Sequence, residues 1–81
     1  MTSLDGKITI QDLRVGDEFV IAGVSLTREI GKRLADMGFT RGTKGKLLRR
    51  ALLGDPLLVA ILGYQVSIRK SEAAGVQVEH P

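Results

Sequence analysis

Leu26, Ile30, Leu34 and Met37 recur at spacings of four, four and three, which is one stripe of an α-helix. Arg28, Glu29, Lys32, Arg33 and Asp36 fill the gaps, so the helix has one apolar side and one wet side. The pattern predicts a helix over about Thr27–Met37, capped by Ser25 or Thr27. Gly38 follows where a left-handed residue closes a helix. With Met37 as the C-cap, Phe39 folds back onto Leu34, the apolar contact of a Schellman ending. A positive φ is therefore expected at Gly38, and Gly42 permits a second sharp turn.

The rest of the chain alternates with the period of strands. Residues 1–8 read as a loose leader, and Thr9–Leu13 as one helical turn with Thr9 capping and Asp12 three residues on. Glu18–Val24 reads as the first strand, with Phe19, Ile21 and Gly23 on one face. Thr43–Arg50 is the second: Gly45, Leu47 and Arg49 face one way, and Lys44, Lys46, Leu48 and Arg50 the other. That many charges suggest an edge or a strongly curved strand. Ala51–Pro56 is a loop with breakers at Gly54, Asp55 and Pro56. Leu57–Leu62, wholly apolar, reads as a central third strand. Gly63-Tyr64 reads as a two-residue hairpin turn with glycine first, as type II′ prefers, before a fourth strand at Gln65–Ile68. Arg69–Ala74 holds about a turn of helix, and Val76–Glu79 is a fifth strand. About five short strands with tight turns and one helix indicate a mainly β chain, a small closed or half-closed barrel.

Length and composition narrow the function. Eighty-one residues read as one domain. The chain has no cysteine, which removes disulfides and thiolate metal sites, and its one histidine, His80, is beside the last residue. The longest apolar run, Leu57–Leu62, is far short of the ~20 residues that cross a bilayer, so no membrane insertion is expected and the chain is placed in the cytoplasm. The formal charge of +3 fits solubility as well as an acidic partner. Arg41, Lys44, Lys46, Arg49, Arg50, Arg69 and Lys70 would line one side of a barrel. With three aromatics in all, two of them reading as core, a stacking platform for nucleic acid is missing, and nucleic-acid binding is not favoured.

Convergent catalytic groups are equally scarce. Gly38–Lys44 contains the glycines and lysine of a phosphate loop at the wrong spacing, and it leaves a helix where a phosphate loop enters one. No enzymatic site, cofactor or metal-ligand set is therefore expected. Leu52, Leu53, Leu57 and Tyr64 lie in or beside turns, and apolar residues at such tips are either covered by their own loop or mark a partner surface.

Four segments in order, Leu13-x-x-Gly16, Arg33-Leu34-Ala35-Asp36-Met37-Gly38-Phe39-x-x-Gly42-Thr43, Gly54-Asp55-Pro56-Leu57 and Gly63-Tyr64-x-Val66-Ser67-Ile68-Arg69-Lys70-Ser71-Glu72-Ala73, together resemble the ferrous iron transport protein A family, FeoA. The likeness runs from about Ile10 to Val78. A related module occurs at the C-terminus of metal-dependent repressors, so a metal-linked regulatory or nucleic-acid-binding role is the alternative reading. The resemblance implies an SH3-like barrel with an inserted helix. It also implies a cytoplasmic accessory of transition-metal uptake that acts on the ferrous iron transporter, a membrane protein with its own GTP-binding domain. The expected contact residues are Arg41, Leu52, Leu53, Leu57 and Tyr64, with Gly38, Gly42 and Gly54 shaping the turns. A GTPase-activating role would cast Arg41 as an arginine finger. The apolar run Ala51-Leu52-Leu53 implies either self-association or an apolar docking site.

Overall fold

The computed structural model describes residues 8–81. Its strands are β1 (Ile8–Thr9), β2 (Glu18–Val24), β3 (Lys44–Arg50), β4 (Leu57–Ile61), β5 (Tyr64–Ile68) and β6 (Val76–Glu79). Helix α1 (Arg28–Asp36) follows β2, and a four-residue helix α2 (Lys70–Ala73) precedes β6. The strands form one antiparallel sheet in the order β1-β6-β2-β3-β4-β5. The leader expected over residues 1–8 lies outside the described residues except for Ile8. Ile8 pairs with Val78 and so adds a sixth strand to the five expected. The helical turn expected next is a 3-10 turn at Ile10–Asp12. The Asp12 carboxylate accepts from the Thr9 N–H at 2.8 Å.

The amphipathic stripe becomes α1 as its spacing demands. Thr27, rather than Ser25, caps the helix: its hydroxyl accepts from the Ile30 N–H at 3.4 Å. At the other end the Gly38 N–H donates to Ala35 O and the Phe39 N–H donates to Leu34 O, both at 3.0 Å. That pair of bonds is the Schellman ending, and Gly38 takes φ +107° to make it. Leu34 and Phe39 are both buried in the core with Phe19, Ile21, Leu47 and Val59.

Of the two alternatives expected for β3, an edge or a strongly curved strand, the structure shows the second, and it corrects the expected alternation. Strand β3 is an interior strand between β2 and β4, because its charged face points to solvent while Leu47 is buried. It is also bent: its register against β4 slips between Leu47 and Arg49, leaving Leu48 as an extra residue. The bulge reverses the alternation, so Arg50 turns inward rather than joining Lys44 and Lys46 outside. Its Nη2 donates to the carbonyls of Gln11 at 2.6 Å and Leu13 at 2.8 Å, and its Nη1 donates to Gln11 Oε1 at 3.2 Å. A side chain that looks like a surface charge thus fastens the 3-10 turn to the sheet. Arg50→Ala is expected to cost about 2 kcal/mol in urea denaturation, because charged donors leave half-buried carbonyls unpaired. A loss under about 0.5 kcal/mol, the ordinary range for surface changes, would show that the clamp contributes nothing.

The β4–β5 hairpin turns one residue earlier than expected. Ile61 pairs with Tyr64, and the turn is Leu62-Gly63, with φ +52° and +84°. Positive φ at both positions is the type I′ pattern, whose twist matches the strands, rather than type II′. Glycine occupies the second turn position, and Leu62 takes the left-handed first position itself.

Candidate interaction surface

The expected contact residues separate into three groups. Leu57 leaves the set: it is wholly buried, because Leu57, Val59 and Ile61 alternate inward along β4. Its apolar neighbours in sequence concealed the period of two. Leu57 is a core residue.

Arg41 and Tyr64 stand at one end of the sheet. Arg41 is exposed in the turn that leads into the start of β3, and β3 begins beside the end of β4. Tyr64 opens β5 at that same end. Its hydroxyl donates to the carbonyl of Met37, tying the hairpin to the C-terminus of α1. Leu62, which the sequence reading did not select, is 62% exposed beside it. The space above Gly38 is taken by Leu62, since a Cβ built on Gly38 would lie 2.4 Å from Leu62 Cδ1. Leu62 and Tyr64 therefore meet over a helix end that can approach only because residue 38 has no side chain, and Arg41 lies in the turn at the same end of the sheet. The sequence signal for Leu62 was the glycine after it, since a two-residue turn with glycine second exposes the residue before.

Leu52 and Leu53 stand at the opposite end, where β3 finishes and β4 starts. The seven residues of β3 separate the two ends, roughly 20 Å of extended chain. Leu52 is 89% and Leu53 91% exposed, the largest exposures among the big apolar residues described. Leu53 is held at φ +71°, ψ +9°, a left-handed conformation that leucine rarely takes. Gly54, at φ +80°, continues the turn.

Beside this loop lies a groove of about 480 Å³, bordered by Arg33, Met37, Asp55, Pro56 and Arg69. Its two carboxylates are both engaged. Asp55 Oδ1 accepts from the Lys70 N–H at 3.0 Å and so closes the start of α2. Glu72 Oε1 accepts from the Arg69 N–H at 3.0 Å, and Glu72 Oε2 is ion-paired with Arg33, which joins the two helices. Glu72 is buried. These bonds build the wall of the groove. Among the described residues, no group of three or more His, Cys, Asp or Glu side chains converges as a metal site. No described helix is long and apolar enough to cross a membrane.

A model of the FeoA domain matches residues 8–80. The chain belongs to the FeoA family. FeoA of Chlorobium tepidum, solved in solution, is 36% identical, with a TM-score of 0.86 over 90% of this chain and 70% of that one. FeoA of Stenotrophomonas maltophilia, crystallised with zinc and described as a prokaryotic SH3-domain protein, is 28% identical, with a TM-score of 0.79 over 89% of each chain. The barrel with its inserted helix is thus the SH3-like fold that the resemblance implied. A curated relative from Porphyromonas gingivalis, a fusion of Fe(2+) transport protein A with the Fe(2+) transporter FeoB, is 36% identical over 70 residues. The match takes in 86% of this chain and 8% of the fusion protein. The FeoA family and its link to ferrous iron transport therefore rest on sequence and fold together.

Proposed function

We propose that this chain is a cytoplasmic accessory of a ferrous iron transporter and acts by touching that partner rather than by chemistry of its own. One observation carries the reading. In the Porphyromonas gingivalis relative the matched region shares a polypeptide with the transporter, so covalent linkage there replaces what a separate chain must achieve by binding.

The end of the barrel that bears Arg41, Leu62 and Tyr64 is the contact surface this reading favours. Arginine and tyrosine are the residue types most enriched among residues that dominate binding energy. Here they flank an exposed leucine whose place is set by Gly38 and by the Tyr64 hydroxyl. The patch is preorganised, which lowers the entropic cost of docking. Arg41 would then lie in reach of a bound nucleotide on the partner, where a guanidinium can meet developing phosphate charge.

The test is a pull-down of the purified chain against the soluble cytoplasmic domain of the cognate transporter, without nucleotide, with GDP and with a GTP analogue. Nucleotide-dependent binding is expected. Leu62→Asn should weaken it tenfold or more, about 1.4 kcal/mol. The fold survives this change, because asparagine accepts the left-handed turn position readily. A well-folded Leu62→Asn, Arg41→Ala double variant that binds like the parent would overturn this assignment of the surface.

A further inference from the structure

The Leu52–Leu53 tip is not absorbed by the patch just assigned, and its surroundings differ in charge. Leu52 and Leu53 project from the 3-10 turn at Leu52–Gly54 with nearly all of their surface in solvent. Three exposed cations stand around them. Arg49 lies near the end of β3, paired across to Leu58, and Leu58 pairs in turn with Ser67 of β5. Arg69 and Lys70 follow directly on β5, and the Lys70 backbone is bonded to Asp55 in the same loop. Among the described carboxylates beside the tip, buried Glu72 is paired with Arg33, while exposed Asp55 accepts from the Lys70 N–H and keeps its charge. Arg50, the remaining cation of β3 here, is turned inward onto Gln11 and Leu13. The tip is therefore apolar at its centre, and at its rim the three exposed cations outnumber the one exposed carboxylate, Asp55.

We infer that this tip is a lipid-contact element, with Leu52 and Leu53 dipping into the headgroup–acyl boundary of an anionic bilayer while Arg49, Arg69 and Lys70 meet its headgroups. Two features favour a bilayer over a protein groove. A membrane surface accepts a protruding apolar point with no complementary shape, and Leu52 and Leu53 protrude rather than line a cleft. The flanking positive charge complements the negative surface of anionic lipid, which attracts lysine and arginine near a membrane. The lack of a spanning helix concerns length, and two side chains at a loop tip need no span. With the tip on lipid, the Arg41–Leu62–Tyr64 end points away from the membrane; this orientation, unlike the lipid contact itself, rests on the proposed function.

The experiment needs no transporter, so its result is independent of that reading. The chain contains no tryptophan, so Leu52→Trp installs a single reporter. On sedimentation with pure phosphatidylglycerol vesicles at low salt, the parent chain should partition at least about tenfold more strongly than with phosphatidylcholine vesicles. Binding should vanish at about 0.5 M salt, where screening is short-ranged. The Leu52→Trp emission should shift to the blue on phosphatidylglycerol vesicles. A Leu52→Ser, Leu53→Ser variant, whose thermal midpoint should equal the parent's because both side chains are exposed, should lose at least about fivefold in partitioning. Two results would each overturn the inference: no partitioning onto phosphatidylglycerol, or partitioning that the double serine variant retains in full.

Discussion

Gly38→Val should lower the thermal unfolding midpoint by about 10–20 °C, the shift that a loss of about 2–3 kcal/mol produces in a domain of this size. Two costs add. The first is conformational: φ +107° lies outside what a β-branched residue adopts, yet the Schellman bonds to Ala35 and Leu34 require it. The second is steric: the new Cβ would stand 2.4 Å from Leu62 Cδ1. Gly42→Ala separates the two, because Gly42 has φ +89° but nothing within 4 Å of a built Cβ. It should cost only the backbone term, about 1 kcal/mol. Leu62→Gly placed in the Gly38→Val background should recover the steric part. An unchanged midpoint in Gly38→Val would refute the helix ending on which the Arg41–Leu62–Tyr64 patch depends.

Gly45→Val should cost about 3 kcal/mol in urea denaturation, the upper end of the overpacking range. Gly45 faces inward on β3 opposite Phe19, and the Phe19 ring lies over it: a Cβ there would meet Phe19 Cζ at 2.5 Å. Rotating the ring would not suffice, because the Ala60 carbonyl oxygen lies 2.8 Å from the same point and belongs to the paired β4 backbone. The strands would have to part, or Phe19 would have to leave the core. Gly45→Ala combined with Phe19→Leu should be less damaging than the sum of the two single changes, since the smaller side chain makes room for the methyl. A Gly45→Val loss below about 1 kcal/mol would mean that the sheet yields at this point more easily than close packing permits.

The same two glycines show what a sequence can and cannot convey. Gly38 was legible because a helix end is local: stripe, cap, glycine and returning Phe39 sit within a few residues, and each constrains the next. The role of Gly45 was not, because Phe19 and Ala60 come from strands distant in sequence. Arg50 failed for a related reason. Strict alternation sends it outward, and the bulge at Leu48 that sends it inward depends on how β3 registers with β4. The turn at Leu62-Gly63 was missed by one residue because both type I′ and type II′ turns admit a glycine, and the cross-strand pair Ile61 with Tyr64 makes the choice.

The chain by itself determined the helix and its Schellman stop, the course of four of the strands, and the family, because each rests on short-range periodicity or on motifs of fixed spacing. Tertiary structure alone decided that Leu57 is core, that Leu62 and Tyr64 meet over Gly38, and that Leu52 and Leu53 stand apart at the other end, beside the strand ends that carry Arg49, Arg69 and Lys70. The physical reason is that exposure and neighbourhood are properties of the assembled sheet. They arise when residues far apart in sequence exclude water from one another, and a linear pattern does not record which partners will do so.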